Sequence, residues 1–83
     1  MSLSREIVYI KWFDSFAFAG QKTTEEVMEE KPYIMEDVGF LVGETKDDVR
    51  YATSWIGINE EWRHIHSVPK CNIIKKKITR IKL

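Results

Sequence analysis

The sequence lacks the features by which many functional classes are recognised. It has one cysteine, Cys71, among 83 residues, which excludes an internal disulfide and predicts a reducing compartment, the cytoplasm. Thirteen basic residues balance thirteen acidic ones, so net charge favours neither a nucleic acid nor an acidic surface as partner. No apolar run reaches the length of a membrane span, and we expect no association with a membrane.

Residues suited to catalysis or metal binding are equally sparse. His64 and His66 lie two positions apart, a spacing open to two metal ligands, but without a third ligand nearby surface histidines are the more frequent explanation. A nucleophilic cysteine or serine needs a base and an orienting group beside it, and no spacing indicates such a set. We therefore predict that the protein is not an enzyme and has no catalytic residue, metal site, cofactor or small-molecule substrate.

What the chain has instead is ten aromatic residues and several strand-like patterns. The aromatic side chains supply large burial to a chain near the lower size limit of an independent domain. The length predicts one domain over residues 1–83, in which residues 1–4 are expected to be disordered or vector-derived.

The clearest pattern is a hairpin between Glu36 and Gly57. Apolar residues alternate over 38–42 and again over 49–55, and the polar stretch 44–48 between them is typical of a turn. Two glycines in the first strand indicate a bend, a bulge or the close approach of another backbone, and we favour a bend.

Residues 6–13 form a further predicted strand, whose alternation assigns Val8, Ile10 and Trp12 to the core. The stretch 16–20 that follows is either an extension of this strand or an aromatic loop.

A short helix is predicted around residues 24–30. Thr23 with Glu26 three positions later is a capping box. Since two turns are marginal alone, we expect Val27 and Met28 to dock on the sheet.

The last third of the chain predicts a turn over 57–63 and a short strand over 64–68. Residues 72–83 fit either a helix or a strand by spacing, but their β-branched content favours a strand, bent or bulged near the lysines.

Together these elements predict a mainly β, small α+β domain. Two architectures stay open, a five-stranded barrel and a strongly bent antiparallel sheet, each with the one short helix. The order of elements resembles the Src-homology-3 (SH3)-like barrels, in which a corner similar to residues 68–70 (VPK) makes a single 3₁₀ turn before the closing strand. The resemblance covers residues 7–81 and implies an architecture but no function.

Three short motifs also resemble landmarks of small uncharacterised proteins encoded by phages and prophages. They are residues 8–14 (VYIKWFD), 38–42 (VGFLV) and 68–73 (VPKCNI). The Gly-Trp that often follows the aspartate in that group is absent here, where residues 16–20 stand instead. The resemblance implies a phage-type source, and with it the host cytoplasm, but no activity.

Two binding hypotheses remain. The first is a non-catalytic interaction or assembly module whose partner is a protein or a second copy, bound through Phe16, Phe18 and Trp62. An aromatic flanked by acids, as in the 60–62 loop, resembles the peptide groove of SH3-like barrels. The alternative for the two phenylalanines is a place in the core.

The second hypothesis is a nucleic-acid-binding accessory protein that uses the basic final strand. Phosphates would lie on lysines and bases would stack on Trp62 or Phe16. Lysines on an edge strand also guard against aggregation, which is the alternative explanation. The basic residues are Lys75, Lys76, Lys77, Arg80 and Lys82.

Overall fold

The computed structural model describes residues 4–14 and 20–82 of the chain. Within them a mainly β, small α+β fold with one short helix is present, which confirms the predicted class. The elements are β1 (Ser4–Asp14), α1 (Thr24–Glu29), β2 (Tyr33–Glu44), β3 (Asp48–Ile56), β4 (Glu61–Pro69), a 3₁₀ turn (Lys70–Asn72) and β5 (Ile73–Lys82).

The five strands form one antiparallel sheet in the order β4-β3-β2-β1-β5. The long strand β2 belongs to two halves of this sheet, since its residues 33–40 pair with β1 and its residues 40–44 pair with β3. The edges are β4 and β5, so within the described residues the sheet is open. This corresponds to the predicted bent sheet, while the SH3-like label stays a prediction.

The core lies where the two halves of the sheet face each other. Val8 and Ile10 of β1 are fully buried and pack with residues of β3 and β4, strands that do not pair with β1. A sheet can bring such strands together only by bending. The prediction of Val8 and Ile10 as core is confirmed, and Trp12 packs at the core margin. The buried residues of the cluster are Val8, Ile10, Val49, Tyr51 and Val68.

Gly39 lets β3 approach β2 closely. A Cβ at this position would lie 2.8 Å from the carbonyl oxygen of Ala52 and 2.9 Å from Cδ2 of Tyr51. Gly43 instead lies at the register shift between β2 and β3 and has open space around it. The two glycines therefore mark a close approach and an irregularity in pairing, two of the three expected causes.

The turn between β2 and β3 is organised by Asp48. Its carboxylate accepts hydrogen bonds from the hydroxyls of Thr45 and Ser67 and, at 3.0 Å, from Nε of Arg50. The backbone N–H of Asp48 donates to Oγ1 of Thr45 at 3.1 Å. These bonds favour the ionised form, with Ser67 contributing most, and lower the pKa of Asp48 to about 2.

Helix α1 is capped as predicted but does not dock as predicted. Oγ1 of Thr23 accepts the backbone N–H of Glu26 at 3.2 Å. Val27 and Met28 are 41% and 77% exposed, and every residue from 20 to 36 is exposed. The expected docking is therefore wrong: the cap holds the helix locally, and its apolar side chains face solvent.

The predicted turn over 57–63 is too long. The turn covers residues 57–60, and β4 begins at Glu61, because Trp62 pairs with Trp55 and Glu61 with Ile56 of β3. The final segment is a strand, as predicted, and its pairing with β1 is irregular between Ile73 and Lys75.

Candidate interaction surface

The side of β1 and β2 turned away from the core carries a row of apolar and aromatic residues. Paired residues of antiparallel strands point to the same face, and this face alternates with that of Val8 and Ile10. We call it the outer face. Its cross-strand pairs are Ile7 with Phe40, Tyr9 with Val38, Lys11 with Glu36, and Phe13 with Ile34.

Much of the apolar part of the outer face is open to solvent. Val38 is 64% exposed, Ile34 55% and Phe13 43%. Apolar residues scattered singly over a surface need no explanation, whereas neighbouring ones mark an interaction site. Ile34 and Phe13 form one pair of the row, and the charged pair of Lys11 and Glu36 separates them from Val38. The outer face is therefore a mainly apolar strip with one charged pair within it.

One end of the strip runs into an aromatic groove. The ring centroids of Phe40 and Trp62 lie 6.4 Å apart, and those of Trp62 and Trp55 lie 4.7 Å apart. The guanidinium carbon of Arg5 lies 4.9 Å from the Trp55 ring centroid, a cation–π distance. The groove has a volume of about 370 Å³ and is lined by Arg5, Phe40, Thr53, Ser54 and Trp55.

One of the three aromatic residues predicted to bind protein, Trp62, lies beside the groove. Trp62 is half-buried and packs at the groove margin, not in an exposed loop, because β4 starts one residue before it. Phe16 and Phe18 lie outside the described residues.

Tyr9 contributes the main polar contact on the outer face. Its hydroxyl donates to Oε1 of Glu36 at 2.5 Å. This bond, with smaller effects from burial and the carboxylate charge, raises the pKa of the Tyr9 phenol. The shift favours the protonated phenol, which is the form that donates this bond.

The basic residues of β5 divide between two faces of the sheet. Lys77 pairs with Tyr9 and Lys75 with Lys11, so these two lysines flank the outer face. Together with Lys11 they give the apolar strip one positively charged side.

The other basic residues of β5 lie on the opposite face of the sheet, near acidic side chains. Lys76 forms an ion pair with Glu44, which lowers the pKa of that carboxyl. Arg80 stands opposite Glu6 in the strand pairing, and Lys82 shares its face. The structure therefore brings Lys75 and Lys77 together with Lys11 and separates them from Lys76, Arg80 and Lys82.

A half-buried polar link connects three strands on the side of the sheet opposite the strip. The carboxylate oxygen Oδ2 of Asp37 accepts from Nε1 of Trp12 at 2.7 Å and from the hydroxyl of Tyr51 at 2.6 Å. Burial, followed by the bond to Asp37, raises the pKa of Tyr51. Asp37 thus ties β1, β2 and β3 together on the core side of the sheet.

The alternation in β1 predicted Val8 and Ile10 as core residues and gave the residues between them no role. The available signal is that this other set, apart from Lys11, is also apolar or aromatic, with Tyr9 and Phe13 among its members. A strand with only one buried face is expected to be polar on the other.

The histidines and the cysteine have ordinary surface contacts. The His66 ring stacks on Tyr51 with centroids 5.2 Å apart, and Sγ of Cys71 donates to Oδ1 of Asn72 at 3.4 Å. Across residues 4–14 and 20–82 no three His, Cys, Asp or Glu side chains lie close enough to hold a metal ion. The same residues contain no helix long and apolar enough to cross a membrane.

Comparisons with family models, with curated proteins and with solved structures find no match. The resemblances to phage-type proteins and to SH3-like barrels therefore rest on sequence pattern alone. What the protein binds has to be argued from its surface.

Proposed function

We propose that the protein is a non-catalytic interaction module whose outer face binds another protein. The observation that carries the proposal is the mainly apolar strip that leaves Val38, Ile34 and Phe13 exposed on one face of the sheet. Covering such a strip removes apolar area from water and stabilises a complex by roughly 25 cal/mol per Å² before the costs of association. We further propose a phage-type source for the protein, which the resemblance of its motifs supports.

The shape of the surface favours an elongated protein segment as ligand. The four cross-strand pairs between Ile7 and Phe13 span about 20 Å at the usual rise of a strand. The aromatic groove beside Phe40 extends the same surface. Tyrosine, tryptophan and phenylalanine are enriched where protein interfaces are most deeply buried, which matches the composition of this surface.

A matched pair of substitutions tests the proposal. Val38→Asp places a charge in the strip, whereas Ile58→Asp places the same charge in the turn 57–60, at a residue that is 97% exposed. Peptides selected from a random display library on the unmodified protein are expected to lose binding to Val38→Asp and to keep it for Ile58→Asp. Selected peptides that tolerate Val38→Asp, or a library without enrichment, would contradict the proposal.

A nucleic acid is the second candidate ligand, favoured by the arrangement of lysines and aromatic rings on the outer face. Lys11, Lys75 and Lys77 share the outer face with the Tyr9 and Phe13 rings, which combines charges for phosphates with rings for bases. The ion pair of Lys76 and the acid opposite Arg80 reduce the charge available on the other face.

Titration of labelled single- and double-stranded oligonucleotides at two salt concentrations decides between the candidates. Phosphate neutralisation by three lysines predicts affinity that falls steeply with salt. Under the protein-binding proposal we expect neither oligonucleotide to bind, even at low salt. Tight binding that weakens with salt would instead replace that proposal with the nucleic-acid one.

A further inference from the structure

We infer that the outer face binds an acidic peptide segment with an aromatic anchor, and that the anchor occupies the groove beside Phe40. Since the outer face is the protein-binding surface of the proposed function, this conclusion rests on that function and names the chemistry of its ligand. Two separate features support it, namely the composition of the groove and the charge of the outer face.

The groove opens where β2 changes its neighbour in the sheet. Strand β2 pairs with β1 as far as the row of Ile7 and Phe40, and with β3 from Phe40 onward. Strand β1 continues beside β5 as far as Ser4. The β1–β5 and β2–β3 ribbons therefore separate beyond Phe40, and Arg5 of one ribbon and Trp55 of the other line the gap. The groove is thus built into the sheet and does not depend on the conformation of one side chain.

The groove has the size and the residue types of an anchor site. Its volume of about 370 Å³ is larger than the roughly 150 Å³ that holds a benzene molecule, so one large aromatic side chain fits. Phe40, Trp55 and Trp62 are half-buried and packed at tilts of 43° and 57°, an arrangement that a further ring can extend. Tryptophan and arginine, here Arg5, are residue types in which the binding energy of protein interfaces is concentrated.

The outer face is positively charged although the chain as a whole is neutral. In the described cross-strand rows from residue 5 to residue 13 of β1, four cationic residues point to this face, and one acidic residue does. They are Arg5, Lys11, Lys75 and Lys77, and Glu36. Complementary charge favours a partner of the opposite sign and suppresses partners of the same sign, so the surface favours an acidic ligand.

The exposed aliphatic side chains of the strip favour a peptide over a nucleic acid as this acidic ligand. Val38 and Ile34 lie on the same face as the lysines and are largely exposed. Apolar side chains of a peptide remove this surface from water, whereas sugars and phosphates do not.

The spacing of the cations predicts the spacing of acids in the ligand. Lys77 lies opposite Tyr9 and Lys75 opposite Lys11, four and six residues along β1 from Arg5, which is about 14 and 20 Å at the rise of a strand. An extended peptide has the same rise, so acids about four and six residues from the anchor reach these lysines. Residues an even number apart point to the same side of an extended chain, so the anchor and both acids face the sheet together.

A display library of four peptide classes tests this prediction. Each peptide carries a tryptophan or an alanine as anchor and a pair of glutamates or lysines about four and six residues from it, with the other positions random. On the unmodified protein, the class with tryptophan and glutamates is expected to be enriched at least about tenfold over every other class. Enrichment of a lysine class, or equal enrichment of the alanine class with glutamates, overturns the inference.

Charge reversal on the two faces of β5 locates the acidic contact. Lys75→Glu with Lys77→Glu is expected to weaken the binding of an enriched peptide at least about tenfold. Arg80→Glu with Lys82→Glu makes the same charge change on the opposite face of the same strand and is expected to leave binding unchanged. Fluorescence anisotropy of the labelled peptide measures both, and equal effects of the two double variants overturn the contact.

Exchanging the charges of the peptide completes this test. A peptide in which lysines replace the glutamates is expected to regain affinity for the variant with Lys75→Glu and Lys77→Glu, because the two signs are then opposite again. Such rescue requires a folded protein and so distinguishes a lost contact from a lost fold. A lysine peptide that binds this variant no better than the glutamate peptide does overturns the contact.

The outcomes separate this inference from the proposed function. If peptides of another class are enriched, and they lose binding to Val38→Asp but keep it for Ile58→Asp, the outer face binds protein and only the chemistry of the ligand is wrong. If the enriched peptides bind Val38→Asp as tightly as the unmodified protein, both conclusions are wrong. Displacement of the peptide by an equal concentration of a single-stranded oligonucleotide would overturn the inference in favour of a nucleic acid.

Discussion

The two faces of β1 contain similar residue types and differ in what covers them. Val8 and Ile10 on the inner face are fully buried against β3 and β4, because the sheet bends over them. On the outer face, Phe13 and its neighbours in β2 are largely exposed. Burial on one side supplies the stability of the chain, and under our proposal the uncovered side binds another protein. The proposal thus gives the hydrophobic residues of the two faces different purposes, which substitution can separate.

Truncation of the inner face is expected to have the largest effect. Ile10→Ala leaves a cavity in the core and is expected to cost about 2–5 kcal/mol of unfolding free energy. The matched change Ile34→Ala, at a residue 55% exposed on the outer face, is expected to cost less than about 1 kcal/mol. Urea denaturation compares the two, and equal losses would show that the outer face is buried in the single chain.

Adding a methyl group at Gly39, where β2 and β3 approach closely, is expected to cost somewhat less unfolding free energy. Gly39→Ala puts a methyl group into contact with Ala52 and Tyr51 of β3, and overpacking of this kind costs about 1–3 kcal/mol. Gly43→Ala is the control, since a Cβ there has open space. Thermal unfolding of both variants checks this, and a stable Gly39→Ala protein would mean that β2 and β3 are further apart than described.

Loss of the half-buried Asp37 carboxylate tests the polar link on the inner side. Asp37→Ala leaves Nε1 of Trp12 and the hydroxyl of Tyr51 without their acceptor, at a cost of about 1–3 kcal/mol. Tyr51→Phe is the milder control, because it removes a donor and leaves Asp37 bonded to Trp12. Urea midpoints should fall in the order unmodified, Tyr51→Phe, Asp37→Ala; the reverse order of the two variants would contradict the link.

The pH dependence of the β2–β3 turn is the smallest expected effect. The pKa of Asp48 is about 2 in the folded chain, against about 3.9 in an unfolded one. Its contribution to stability is therefore complete above about pH 4, declines as the pH falls toward 2, and is absent below. Asp48→Asn should melt lower than the unmodified protein at neutral pH, and the gap should close between pH 4 and pH 2. A constant gap would contradict the assignment.

Several parts of the fold could be predicted because they depend on local pattern. The alternation in β1 identified Val8 and Ile10, and the capping box identified the start of α1, since both signals involve residues close in sequence. The positions of Val27 and Met28 could not be predicted in this way, because docking depends on where the connection places the helix. The start of β4 was missed because its pairing with β3 outweighs the turn propensity of residues 57–63.

The candidate surface was predictable only in part. Trp62 was predicted as a protein-binding residue, but its contacts with Trp55 and Phe40 depend on how β2, β3 and β4 are arranged, which the sequence does not show. The five basic residues of β5 looked like one group in the sequence, whereas strand alternation divides them between two faces. The outer face itself combines β1 with β2, and the register that joins them is not visible in either strand alone.

The central claim is that the outer face binds another protein, and methyl NMR of the protein titrated with one of the selected peptides tests it most directly. The account predicts that methyl signals of Ile34 and Val38 shift as the peptide is added, while those of the exposed Ile58 in the turn 57–60 stay constant. Signals of Ile34 and Val38 that do not move over the whole titration, or shifts confined to Ile58, would contradict it.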